Sequence, residues 1–310
     1  MKFSEYFQKN TLKEAKKYQW LYILLIIPIL QQLVFSYLPM YGIIIAFKNF
    51  KMGLGIFGSH WVGLDNFREI INDHFFTRAM LNTIKFSVSG LAIGMPLTIM
   101  FALLLNEIKI LKFKKVVQTI SYLPHFLSWV IISTIVFQVL SPEFGILNKV
   151  LLELGILKES IFFMAKKQYF LAVYLISGLW AGIGWGTILY LAAISGIDQE
   201  QYESANIDGA NRWHKMRYIT LPGMKPTITI VLILNIGGLM SVSFDQIFNL
   251  MNDMTAEVAD VLSTLAYQKG LIQADYSYGA ALGLFQNVIG FVLLFTSNLI
   301  MKKYNEFTII

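Results

Sequence analysis

Six stretches of largely apolar sequence, each long enough to cross a bilayer, recur along the chain at 20–47, 79–105, 116–140, 169–194, 227–250 and 278–301. About 20 helical residues match the hydrocarbon thickness of a membrane, and a helix satisfies its own backbone polar groups there. The pattern predicts an all-α membrane protein with six transmembrane helices. Composition agrees, because 56% of the 310 residues are hydrophobic and only 14% are charged. Soluble domains average about 25% charged residues, and a soluble fold of this length has too little interior for so much apolar surface. Aromatic residues reach 15%, which suits the headgroup level where Trp and Tyr sit. The chain has no Cys, so disulfides and thiolate metal sites are excluded.

The first stretch follows Lys2, Lys9, Lys13, Lys16 and Lys17. It is too long for the apolar part of a signal peptide and shows no small-x-small cleavage pattern, so it is expected to remain as the first span. With both termini in the cytoplasm, 15 Lys and Arg fall on the inner side and 9 on the outer. The positive-inside rule favours this N-in, C-in arrangement. The expected organisation is then a cytoplasmic segment 1–19, a first helix and outer loop over 20–78, a five-helix core over 79–301 containing a cytoplasmic loop 195–226, and a cytoplasmic tail 302–310. Gly178 and Gly182 form a small-xxx-small pair that would let another helix approach closely.

The loop 195–226 holds the densest local signals. Asp198 followed by Gln201 resembles a capping box, which predicts a helix from about residue 199. Gly209 is the residue best able to end it in a left-handed conformation. A second short helix is expected over about 211–219, stopping before Leu221 and Pro222. Tyr202, Ala205, Asn206 and Gly209 fall on one face of the first helix, and three of them are small. Trp213, Met216 and Tyr218 offer apolar anchors among Arg212, Lys215 and Arg217. On pattern alone two readings stay open, a docking surface and a solvated loop whose cations only obey the topology rule.

Glu203, Ala205, Gly209, Ile219, Leu221 and Pro222 resemble, in type and spacing, the "EAA" signature of binding-protein-dependent ABC importer permeases. Ser204 stands where that pattern usually has Ala, a small change. The stretches 36–43, 61–67, 120–126 and 243–250 are similar to the carbohydrate-type subgroup, and within it to permeases for complex sugars. The resemblance spans nearly the whole chain. It implies a MetI-like permease fold in the bacterial cell membrane, with Glu203, Ser204, Ala205, Gly209, Ala210, Ile219, Leu221 and Pro222 seating an ATPase. It also implies a homologous second permease, two ATPase domains, an extracellular sugar-binding protein and a sugar, an oligo- or polysaccharide, as solute; no cofactor or metal is implied.

Polar groups at membrane depth are expensive, so they mark cavities or helix contacts. Asn235, Asp245 and Asn249 in the fifth stretch fall at helical spacing with Gly238 between them, and Gln246 is adjacent. Gln286 and Asn287 in the sixth stretch and Gln138 and Trp129 in the third complete the candidates for the solute path, with Phe244 and Phe248 as stacking surfaces. Amides that only fasten helices together are the competing explanation. His125, like the other three histidines, lacks a metal-ligand partner at suitable spacing and is assigned to packing or the interface. No Gly-x4-Gly-Lys-[Ser/Thr] loop is present, so ATP chemistry is expected on another chain. A self-contained secondary transporter would need mid-membrane carboxylates, yet Asp245 is the one acid well inside a stretch. An intramembrane enzyme would need a catalytic pair at depth that the sequence does not offer, and the scattered cations give nucleic-acid binding no support.

Overall fold

The computed structural model describes residues 17–304. The lysine-rich segment 1–16 and the tail from 305 to 310 lie outside the described residues. The chain opens with α1 (Gln19–Phe47), which loosens through a widened turn at Leu33–Tyr37 and tightens to 3-10 geometry over Leu38–Phe47. Pro39, which has no N–H to give, sits at the start of the tightened part. A two-residue antiparallel pair, β1 (Lys48–Asn49) and β2 (His60–Trp61), then leads to α2 (Asp65–Asn72). Next come α3 (His74–Glu107), α4 (Leu111–Phe126), α5 (Trp129–Leu140), α6 (Ile146–Glu153) and α7 (Lys167–Ser195). After them run α8 (Gln199–Ile207), α9 (Arg212–Gly223), α10 (Lys225–Gly237), α11 (Phe244–Leu250), α12 (Leu262–Tyr267) and α13 (Tyr276–Tyr304).

Among the described residues α1, α3, α7 and α13 are each long and apolar enough to cross a bilayer, and two bent pairs bring the total to six. The third expected span is one of these pairs rather than a straight helix: α4 and α5 meet at 105°. Pro124 tightens the end of α4, and Ser128 restarts the helix by accepting the Ile131 N–H. The fifth expected span also differs. Its helix stops at Gly237, and α11 begins only after Ser243 caps it. At the other end α10 continues from α9 through a 57° bend. The second loop helix therefore does not stop before Leu221 and Pro222. A widened turn at Met216–Thr220 relieves the backbone there, and Pro222 occupies the first turn of the continuation.

The long helices meet through small residues. α7 packs along α3, and α13 packs against both α10 and the end of α1. A Cβ on Gly184 would lie 2.1 Å from the Ser121 carbonyl oxygen of α4, and one on Gly290 would lie 2.8 Å from the Gly237 carbonyl oxygen of α10. Of the pair singled out in the sequence, Gly178 sits against the Gln246 amide, whereas Gly182 has nothing within 4 Å. The contact therefore runs through Gly178 and Gly184.

At the end of the spans opposite the α8–α9 hairpin, Asp260 is only 3% exposed. Its carboxylate accepts from the Thr264 hydroxyl at 2.5 Å and lies 3.7 Å from the Arg78 guanidinium. Burial raises its pKa above the ordinary carboxylate value against those two favourable partners. Lys167 pairs with Glu257 on the surface and holds that carboxyl lower. Asn82 donates to the Glu257 and Asp260 carbonyls. This polar clasp ties the segment after α11 to α3 and α7.

Candidate functional site

Two features converge on α7: a polar hairpin at its C-terminal end and a chain of cavities along its flank. In the hairpin the Asp198 carboxylate accepts the Glu200 N–H at 3.0 Å and starts α8. Gly209 follows α8 with φ +72°, the left-handed conformation that ends helices without a Cβ penalty. Asn211 then accepts the His214 N–H at 2.9 Å and starts α9. The two helices are pinned to each other: the Tyr202 and Thr220 hydroxyls lie 2.9 Å apart, and the Lys215 ammonium meets the Asn206 side chain.

That pinning changes which face is free. Tyr202 and Asn206, expected on the docking strip, make contacts inside the hairpin, and Ala205 is half-buried beside them. The outward positions are Glu200, Glu203, Ser204 and Ile207, and Ile207 is 88% exposed. Gly209 is exposed at the turn and Ala210 half-buried behind it. On α9, Ile219 is half-buried while Leu221 and Pro222 are exposed, as are Trp213 and Tyr218. Arg212 reaches back to Glu107 at the end of α3, 4.0 Å away.

The cavities adjoin one another through shared lining residues. One of about 450 Å³ lies between α3, α7 and α10 and is lined by Tyr190, Thr98, Asn235 and Tyr174. It shares Gly90, Gly94, Thr98 and Tyr174 with a smaller one of about 220 Å³, which is also lined by Gly178, Gly182 and Gln246. Those three residues in turn border a cavity of about 590 Å³ formed by the α4–α5 bend and α11, where Trp129, Asp245 and Asn249 meet. Both helix breaks are needed for this. The bend at 127–128 turns Trp129 and Ser128 into the space, and the break at 238–243 separates Asn235 from Asp245. The single stripe of Asn235, Gly238, Asp245 and Asn249 expected in the sequence is therefore split between the two ends of the run.

The polar candidates divide accordingly. Asp245 is exposed to the third cavity, and Asn249 donates to the Asp245 carbonyl at 2.7 Å. Gln246 is buried and fastens helices, donating to the Tyr174 carbonyl at 2.8 Å. Gln286 likewise donates to the Met240 carbonyl at 3.0 Å and borders a separate hollow beneath Phe244 and Tyr267. Phe244 and Phe248 stack on each other at 5.0 Å and pack on Tyr267. Gln138 and Asn287 are exposed and lie outside these cavities. His125, which the sequence assigned to packing or the interface, stacks on Trp185 at 4.5 Å and 7° at the border of the third cavity. Its place after Pro124, at a helix break, is the signal that marked it.

Residues 94–305, which contain the hairpin and most of the cavity lining, match the family described as binding-protein-dependent transport system inner membrane component. The chain belongs to this family. It is a multi-pass inner-membrane permease, a transport subunit rather than an enzyme. It is 40% identical to Protein LplB of Bacillus subtilis over 94% of this chain and 91% of that protein. It is 38% identical to the polygalacturonan/rhamnogalacturonan transport system permease protein YteP of the same organism, over 96% and 92%. Among solved structures, a chain of a bacterial ABC transporter for import of the acidic polysaccharide alginate aligns with TM-score 0.84 and 36% identity, over 95% of this chain and 99% of that one. Another, from an alginate ABC transporter in complex with an alginate pentasaccharide-bound periplasmic protein, aligns with TM-score 0.85 over 96% and 99%.

Proposed function

We propose that this permease forms one wall of the translocation path of an ATP-driven importer for an oligo- or polysaccharide, and that the α8–α9 hairpin receives the force of an ATPase. In this reading a homologous permease supplies the facing wall, an extracellular binding protein delivers the sugar, and ATP is hydrolysed on separate subunits at the cytoplasmic face, where both termini also lie. The observation that carries the reading is the continuity along α7. A run of adjoining cavities that share lining residues extends from the hairpin half of the molecule, at Tyr190 and Asn235, to the opposite half, at Trp129, Asp245 and Asn249. Amides, hydroxyls and aromatic faces suit a sugar, which presents hydroxyls at its edge and C–H groups on its faces. The relatives that transport polysaccharides support the same solute class.

The rigid pinning of α8 to α9, and the continuation of α9 into α10, give a push on Glu203 and Ile207 a direct mechanical route to the cavity wall. Movement of α7 and α10 would then change which end of the run is open, as alternating access requires. The test is reconstitution with the partner permease, ATPases and binding protein, followed by uptake of labelled oligosaccharides. Uptake should require ATP, and Gly209→Val should abolish it and release the ATPase on co-purification while membrane insertion persists. Normal uptake by that variant would sink the hairpin's role.

A further inference from the structure

The loop between α1 and α2 exposes more apolar surface than an aqueous loop needs. Phe57 is 86% exposed, Met52 70%, Leu54 58% and Trp61 57%. Its position is fixed. The Ser277 hydroxyl, on the second residue of α13, accepts the Phe50 N–H at 2.9 Å and donates to the Lys48 carbonyl at 2.7 Å. Residues 48–50 therefore lie level with the start of the last span, at the membrane boundary opposite the α8–α9 hairpin. From there the loop does not project away from the bilayer. Phe57 packs on Tyr41 with ring centroids 5.9 Å apart, and Tyr41 is itself 45% exposed on the outward side of α1. Tyr41 precedes the end of α1 by six residues, about 9–12 Å at helical rise. Phe57 thus folds back along the exposed wall of the first span. Trp61 stacks on Phe47 at the end of that span, at 5.6 Å and 11°.

The loop backbone suits such a place. Exposed amides are costly near hydrocarbon, and here the loop closes on itself. Leu54 and Gly55 donate to the Lys51 carbonyl, and Ser59 N–H and hydroxyl both reach the Gly55 carbonyl. The Ser59 hydroxyl also accepts the Lys51 N–H, and the Lys48 ammonium caps the Ile56 carbonyl at 2.7 Å. Lys51 and His60, both exposed, flank the apolar tip.

We infer that residues 51–61 form an interfacial anchor that dips into the lipid surface, with Met52, Leu54 and Phe57 at the headgroup–acyl boundary and Trp61 in the headgroup layer. The occupant of this apolar patch is lipid, because the patch continues, through Tyr41 and Phe47, the exposed apolar surface of a helix long and apolar enough to cross the bilayer. Amphipathic surface segments bind membranes in this way, and Trp is favoured at that depth.

The absence of native Cys makes the test direct. Single variants F57C, F35C and E159C, each labelled with a nitroxide, are placed in the complete importer in phosphatidylcholine nanodiscs. Phe35, 76% exposed on α1, reports lipid, and Glu159, exposed between α6 and α7, reports water. The label at position 57 should match position 35, colliding with oxygen and losing collisions with a water-soluble nickel chelate. Nickel collisions as frequent as at position 159 would overturn the proposal, because the loop would then stand in water. Protection from both reagents would also overturn it, because another protein chain would then cover the patch. M52C provides the same readout if F57C fails to assemble.

Discussion

At residue scale the clearest contrast lies between two glycines two positions apart on α7, which point to opposite sides of the helix. A Cβ on Gly184 would sit 2.1 Å from a backbone oxygen of Ser121, which cannot move without shifting α4, whereas a Cβ on Gly182 would meet nothing within 4 Å. Gly184→Ala should therefore lower the melting temperature of the purified complex, by an overpacking cost of about 1–3 kcal/mol. Gly182→Ala should be neutral or slightly stabilising, since Ala is about 1 kcal/mol better than Gly in a helix interior. Equal melting temperatures for the two variants would contradict the α4–α7 contact. Of the pair the sequence pointed to, Gly178 makes a close contact and Gly182 does not, for a physical reason. Four glycines crowd residues 178–186, and helical spacing alone does not say which side the neighbour occupies. Gln246 and Asp245 show the same limit: adjacent polar residues on α11 differ because one faces the Tyr174 carbonyl and the other faces open space.

The elements were legible wherever capping chemistry and long apolar runs agreed. Asp198 and Gly209 bound α8 as their side-chain and backbone preferences dictate, and α3, α7 and α13 follow continuous apolar stretches. The third and fifth spans were not legible as broken helices, because their breaks fall within sequence that stays apolar. Hydropathy has no term for the restart at Ser128, or for the close approach of α13 that meets α10 at Gly237. The hairpin's internal bond offers a prediction at this scale. Removing either hydroxyl from the Tyr202–Thr220 contact should loosen α8 from α9, at about 0.5–1.5 kcal/mol. Tyr202→Phe and Thr220→Val should each lower sugar uptake per ATP hydrolysed, roughly fivefold for each kcal/mol lost. The double variant should be little worse than either single one, since both remove the same contact. Fully additive losses would show that the hydroxyls act separately.

At the scale of the whole molecule, the two breaks and the glycine contacts serve one arrangement. The α4–α5 bend opens a wall beside α7, and the α10–α11 break lets two short helices line different ends of one run of cavities. A straight six-helix bundle would have put Asn235 and Asp245 on one stripe and left Trp129 without them. This geometry separates residues that composition cannot tell apart. Trp129→Ala should reduce uptake of the transported sugar on the order of tenfold, equivalent to about 1.4 kcal/mol, by removing an aromatic face from the cavity at the α4–α5 bend. Asn249→Leu should weaken uptake by a smaller factor. Asn287→Leu and Gln138→Leu, equally polar losses outside the cavities, should leave it within about twofold, a difference of about 0.4 kcal/mol. Concentration-dependent uptake in proteoliposomes, with ATP hydrolysis measured in parallel, provides the comparison. If Asn287→Leu proved as damaging as Trp129→Ala, the sugar would be running along a different face, and the cavity run along α7 would be a packing defect between helices rather than the path.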